Sequence, residues 1–454
     1  MNTMTFEDSL KTDEQKLKTL SERVVEMAIK AGADQCEVSV GGARGLSVSS
    51  RDREVENIEF NRDNGMEITV FKNHCRGNSS TSDLNMSAIE DCVNSAISIA
   101  SYADEDECAG ICDKELQCTE FWDLNLCYTP QDDADQAVKT ACTLDKMACA
   151  ALGSGIKGSD GSSFDSHVYS SAFANSNGFS AVKSSTLSSL SLTLLGEADG
   201  KMQRGSGYSI SRDYTKLDSL ERILDEAREK TLDKLNARPV RTGKYNVLFR
   251  HGAAVSLWGN LVSAISGGAI YRKSSFLCDA LEQRILPEFL TIYENPFISG
   301  GLGSANFDNE GVRTSQSDIV KSGVLKQFLL ASYSARKLKM KSNGHAGGIY
   351  NWFVTPDAAH SRDFEDLLAE VGEGLVITSL MGQGVDLVSG NYSRGATGFY
   401  FKDGKRVHAV EEITVAGNLK DMFAHIALIG TDVDERYKLR SGSVLIPSLA
   451  VSGD

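Results

Sequence analysis

The chain has 454 residues, 41% of them hydrophobic and 24% charged, and a net charge of −15. Such a length calls for two or three domains, and the composition is that of a folded protein, not a disordered one. The acidic excess repels a phosphate backbone, which disfavours direct nucleic-acid binding. No apolar run approaches the ~20 residues that span a bilayer, so no membrane partner is expected; Met1–Ser9 lacks the basic start and apolar core of a secretory signal, so a cytoplasmic location is the expectation.

The predicted elements begin with a helix. Thr12-Asp13-Glu14-Gln15 reads as a capping box, and Leu17, Leu20, Val24, Met27, Ala28 and Ala31 follow at helical spacing up to Gly32. Cys36, Val38 and Val40 alternate as a half-buried strand does. Val55, Ile58 and Phe60 lead to Asn64-Gly65, read as a hairpin turn, and Met66, Ile68 and Val70 alternate on the return. A second helix carries Ile89, Val93, Ala96, Ile97 and Ala100. The order then recurs: a helix opening at Thr129-Pro130, a hairpin at Asn177-Gly178, alternation through Leu190, Leu192 and Leu194, and an amphipathic helix over 217–235.

This gives two similar helix–antiparallel-strand–helix lobes, at 12–103 and 128–236, with an acidic connection over 104–127. Cys108, Cys112, Cys118 and Cys127 crowd that connection, but without the tight Cys-x-x-Cys pair of a zinc knuckle; they read as small buried or loop thiols. Ala237–Gly243 is the clearest linker. Residues 243–454 hold 25 glycines, against 16 before them, and their short strands and few helices (about 253–266, 328–339 and 364–371) predict a glycine-rich, mostly antiparallel β domain that curls on itself. Asp403-Gly404 marks a hairpin in it. The fold class is α+β throughout. Lys337–Lys341 reads as a solvated helix face.

Several blocks of this last region carry a resemblance. They are Phe307–Val312, Gly344-His345-Ala346-Gly347-Gly348, the glycine-spaced run from Met381 to Phe399, and Glu411–Met422. Together they resemble the TldD/PmbA family, on its PmbA (TldE) side. The resemblance implies a subunit of a metalloprotease that processes small or unfolded peptides, including modified antibiotic peptides; the family's older label is modulator of DNA gyrase. It implies a TldD-type protease subunit as partner, with zinc in that partner, a peptide as substrate, and a homodimer as a further possible assembly.

In the catalytic branch of the family a His-Glu-x-x-x-His helix follows the first strand of this domain, so that two imidazoles grip zinc and a carboxylate takes a proton from its water. The resemblance places Gly259, Asn260 and Ala264 at those three positions, and Arg440–Val444 where a late cysteine ligand stands. None of the three can do that work. The expectation is therefore a chain with no catalytic residue, no metal and no cofactor of its own. What remains is an apolar stripe of Ala254, Leu257, Trp258, Leu261, Val262 and Ile265, expected to face this chain's own sheet, with Gly259 at a close contact. Asp308 and Glu310 read as turn carboxylates bonded to their own backbone. His345, Asn351 and Arg394, in the family-like polar loops, are the candidates for lining a peptide path. Two other readings stay open: an independently active hydrolase with an unrecognised site, and a regulator of DNA gyrase.

Overall fold

The computed structural model describes residues 5–153 and 155–454. Its first helix, α1 (Phe6–Lys30), starts one turn and more before the expected capping box. Thr5 is the cap, its side chain accepting from the Asp8 amide, with Glu7 and Asp8 in the first turn; Thr12 lies inside the helix and returns its hydroxyl to Asp8 O. Then come β1 (Gln35–Arg51), β2 (Glu54–Lys72), β3 (Cys75–Thr81) and α2 (Met86–Tyr102). The unit repeats as α3 (Ala134–Ala150), β4 (Ile156–Asn175), β5 (Ser180–Ala198), β6 (Lys201–Ser211) and α4 (Leu220–Leu232). Asp133, not Thr129, caps α3.

The two units share one six-stranded antiparallel sheet, ordered β3-β2-β1-β4-β5-β6. Even-numbered residues of β1 and β4 face the helices. Val38, Val40, Ile68 and Val70 pack under α2; Leu46, Val48, Phe164, Leu190 and Leu192 pack with α3 and α4. The opposite face is small and polar, with Ser39, Ser47, Ser163, Ser171, Ser185 and Ser189 along it. Asn64-Gly65 is not a turn. It lies mid-strand opposite Gly42 and Gly41, where a Cβ on Gly42 would stand 1.9 Å from Asp63 O and one on Gly41 2.5 Å from Ser170 O, so it is those two glycines of β1 that permit a close strand approach. The turn is Asp52-Arg53, both at positive φ.

The C-terminal part runs through β7 (Gly243–Phe249), α5 (His251–Ala264), α6 (Gly267–Tyr271), β8 (Leu290–Glu294), β9 (Ser317–Lys321), β10 (Val324–Leu325), α7 (Ser332–Lys337), β11 (Trp352–Pro356), β12 (Ser361–Arg362), α8 (Phe364–Val371), β13 (Glu373–Met381), β14 (Val385–Asp386), β15 (Asn391–Lys402), β16 (Lys405–Asn418), α9 (Leu419–Ala424), β17 (Leu428–Gly430), β18 (Leu439–Arg440) and β19 (Val444–Ser452). β19 pairs with both β16 and β7, which closes β7, β13, β15, β16 and β19 into a ring. A five-stranded sheet, β10-β9-β8-β11-β18, packs beside it. One large core joins them through Trp258, Leu261, Ile292, Trp352, Ile377 and Ile446.

The acidic connection is a strap held by the C-terminal part, not a free linker. Arg336 donates to Cys108 O, Gly110 O and Ile111 O and meets the Asp113 carboxylate, while Tyr333 and Lys337 both reach Asp106. Lys337 therefore belongs to a contact, not a solvated face. Asn306 then grips Trp122 at both its N–H and its C=O. Farther along the seam, Arg212 donates to Gly301 O and Leu302 O. Arg436 forms a fork with both oxygens of Glu226, meets Asp434, donates to Tyr208 O and lies 4.1 Å from that ring's centroid. Burial works against Glu226, yet the donors Arg436 and Lys230 hold its carboxyl down at about 2.

Arg436→Ala takes the guanidinium fork from Glu226, which keeps Lys230 and the Tyr208 amide, and removes the bonded cation of Asp434. With about a fifth of the arginine side chain exposed, the expected loss is about 2 kcal/mol, at the low side of a broken buried pair, read by urea or thermal unfolding. The contribution of Glu226 is present above its unfolded value and is lost as pH falls toward about 2.

Candidate functional site

The helix α5 sits between the strand ring and the five-stranded sheet. Its apolar stripe turns inward as expected: Leu257, Trp258, Leu261 and Ala264 have no exposed surface. Trp258 stacks on Phe423 and donates from Nε1 to Ser441 Oγ at 2.9 Å. Its other face carries Ser256, Gly259, Asn260 and Ser263, partly or fully open. A Cβ on Gly259 would meet nothing within 4 Å, so no close contact requires this glycine, contrary to the sequence expectation.

Arg394, on β15, reaches this open face and donates from Nη1 to Ser256 Oγ at 2.8 Å. Its Nε is buried without a bonding partner, as is the hydroxyl of Tyr392 two residues earlier on the same side of the strand. Arg394 and the polar side of α5 are thus brought together.

His345 and Asn351 lie elsewhere, and burial removes them from any path. The His345 ring sits between Asn343 Oδ1 (2.9 Å) and Glu294 Oε2 (2.8 Å). Asn343 is oriented by its own bonds, with Nδ2 donating to Gln327 and Phe328 O and Oδ1 accepting from Leu330 N, so both ring nitrogens face acceptors. Glu294 has no exposed surface and also accepts from Tyr350 N and Trp352 Nε1. Asn351, equally buried, accepts from Gly303 N and donates to Asn295 O and Ser304 Oγ. These glycine-rich loops are polar because they bond to themselves.

Asp308 behaves as a turn aspartate, accepting from the Glu310 and Val312 amides, and adds a third bond from Ala346 N. Its place was not legible: it stands in the seam beneath the polar face of the six-stranded sheet. Burial and then the charge of Glu310 push its carboxyl up to about 6. Glu37 of β1 faces the same cluster. Burial, then the like charge of Glu310, pushes it up to about 8, with Asp308 and Glu67 adding and Arg76 opposing. Lys183 of β5 donates to Asp308 O at 3.1 Å, lies over the Phe307 ring, and is pushed down to about 8 by burial.

Three family models match in sequence: PmbA/TldA metallopeptidase domain 1 over 36–100, the central domain over 129–235 and the C-terminal domain over 242–453. The chain belongs to the PmbA/TldD family. It is 44% identical over 421 residues to Metalloprotease PmbA of Escherichia coli O157:H7, covering 93% of each chain. A crystal structure of a candidate modulator of DNA gyrase from Bacteroides thetaiotaomicron superposes with a TM-score of 0.88 at 24% identity, covering 100% of both chains. TldE from Thermococcus kodakarensis superposes at 0.77 with 18% identity, over 96% of this chain and 100% of that one. The last two likenesses concern the fold.

A family of metallopeptidases raises zinc, and the residues here do not fit it. At the positions the resemblance assigns on α5, Gly259 and Ala264 bear no donor atom, and Ala264 is packed without space for an imidazole. Ser441, near the expected late ligand, spends its hydroxyl on Trp258. Among the described residues no group of three or more His, Cys, Asp or Glu side chains is placed to hold a metal ion.

Two measurements check these assignments. His345→Ala leaves the Glu294 carboxylate short of a buried partner and is expected to cost about 3 kcal/mol in urea unfolding. Glu37→Gln tests the seam. An acid raised in the folded state binds its proton more tightly there, so its contribution erodes as pH climbs from its unfolded value near 4.5 through about 8. Melting curves from pH 5 to 8 should show wild type losing ground steadily to the variant.

Proposed function

We propose that this chain is the metal-free subunit of a TldD/TldE-type metalloprotease. In this reading it works in the cytoplasm with a TldD-type subunit, which carries the zinc and the proton-transferring carboxylate. The assembly cleaves small or unfolded peptides, precursors of modified antibiotic peptides among them. The observation that carries the reading is α5: the helix keeps its place against the strand ring while its open side offers glycine, asparagine and serine in place of ligands and base.

Arg394 is the residue we assign to the peptide. It is partly buried, fixed by Ser256, and forms no ion pair among the described residues. A guanidinium so placed can receive a peptide carbonyl or carboxylate in a forked contact. Exposed strand edges add sequence-tolerant backbone bonding of an extended chain. The subunit thus guides substrate and breaks no bond.

The test is a purified chain assayed for bound zinc and for peptide hydrolysis, alone and mixed with a TldD-type subunit. Expected are no stoichiometric zinc, no turnover alone, and turnover on mixing. Arg394→Ala should then raise the KM of the mixture about tenfold, the loss of one charge-assisted contact. Chelator-sensitive hydrolysis by the chain alone overturns the reading.

A further inference from the structure

Two arginines stand opposite each other on the helix-facing side of the N-terminal sheet. Arg44 of β1 pairs in register with Arg62 of β2, and directly opposed residues of an antiparallel pair share a face. Like charges so placed repel. On its other side Arg44 meets Val168 of β4. In the next row on this face Asn64, Gly42 and Ser170 stand abreast, and Gly42, with no side chain, leaves a hollow between its neighbours. α1 crosses above with Asp13, Lys16, Leu17 and Leu20, spaced so that all four lie on one side of the helix. Together these residues line a cavity of about 270 Å3.

The charges around this cavity do not balance. Asp13 is the one carboxylate in its lining, and it is divided between Arg44 at 3.4 Å and Lys16 at 3.5 Å. Arg62 forms no ion pair among the described residues. Three cations against one carboxylate leave two positive charges over, in a chain whose net charge is −15. The donors are also unspent. Apart from the two contacts with Asp13, the side chains of Lys16, Arg44, Arg62 and Asn64 bond to nothing among the described residues. Ser170 Oγ accepts from Ser184 Oγ at 3.1 Å, which leaves its own proton to give. An anion between the two guanidiniums would turn their repulsion into two attractions.

We propose that this cavity is a binding site for a small phosphate monoester. The phosphoryl group of a monoester carries a charge of about −2 near pH 7, which matches the two charges left over. Arg44 and Arg62 hold it in forked N–H contacts from two sides, and Lys16 adds a point charge. Asn64 and Ser170 supply neutral donors. The carbon body of the ester lies against Leu17, Leu20 and Val168, an apolar wall that a bare phosphate ion would leave uncovered. A carboxylate brings a single charge and leaves one guanidinium unmatched. This site is remote from α5 in the chain and does not rest on the metal-free subunit reading.

Phenyl phosphate is the probe, titrated into the full chain by isothermal calorimetry at about pH 7.5, where it is a dianion, beside inorganic phosphate and benzoate. It should bind at least about tenfold more tightly than either, having both the double charge and the apolar body. Arg62→Gln and Arg44→Gln should each weaken it about tenfold or more, the loss of one charge-assisted fork. Asp13→Asn removes the competing carboxylate and should tighten it. Arg23→Gln makes an equal change of charge on an exposed part of α1 outside the cavity and should leave the affinity within about twofold. Melting curves separate a ligand site from a structural contact. Without ligand, Arg62→Gln should melt no lower than wild type, because it relieves the opposed charges; with phenyl phosphate, wild type should rise and this variant should not. The proposal is overturned if phenyl phosphate does not bind, if it binds no better than inorganic phosphate or benzoate, or if Arg23→Gln weakens it as much as Arg62→Gln does. An Arg62→Gln chain that melts lower without ligand, or that binds as wild type does, overturns it equally.

Discussion

The C-terminal part depends on one strand that pairs twice. β19 joins β16 on one side and β7 on the other, so strands far apart in sequence close a ring. That closure fixes the approach to β19, and with it Ser441, under Trp258 of α5. It also ties the end of the chain to the linker, with the Asp454 carbonyl accepting from Thr242 N and the Asp454 amide donating to Val240 O. Helix α5 is therefore held against the ring, with Ser441, just before β19, bonded to Trp258 in its middle. Packing sets its position, and packing does not depend on what its open face carries.

The seam between the two parts is a second constraint of a different kind. Arginine forks reach across it to backbone carbonyls and carboxylates, and the aromatic rings of Phe173, Phe179 and Phe307 fill its middle. Next to these rings stand Asp308, Glu310, Glu37 and Lys183. Burial and the neighbouring Glu310 charge make Glu37 and Asp308 hold protons that they would release in water. The two parts are thus joined by contacts that respond to proton concentration.

Much of the fold was legible because alternation is a direct consequence of the pleat. Val38, Val40, Leu190 and Leu192 alternate in the sequence and are buried in the structure. The misreadings have physical causes. Asn64-Gly65 has turn chemistry, but it lies mid-strand opposite Gly42 and Gly41, which are the tightly packed glycines, while the true turn uses Asp52 and Arg53 at positive φ, for which composition gives no signal. Thr12-x-x-Gln15 and Thr129-Pro130 have cap chemistry, yet Thr5 and Asp133 lie where the chain actually bends. In the site, the inward turn of the α5 stripe was readable from its helical spacing. The burial of His345 and Asn351 was not, because a loop that bonds to itself and a loop that bonds a ligand draw on the same polar residues. Nor was the role of Arg336, whose targets are main-chain carbonyls with no signature in sequence.

The double pairing of the last strand also governs the order of biosynthesis. β7 and β13, a parallel pair, leave the ribosome well before β19, and until residues 444–452 emerge their shared sheet has an open side. The N-terminal sheet, complete by Ser211, can assemble before β7 is made; the ring has to wait for β19. Nascent chains of this protein must therefore pass through an interval in which a hydrophobic half-ring awaits its closing strand, and that interval is where a chaperone would find work.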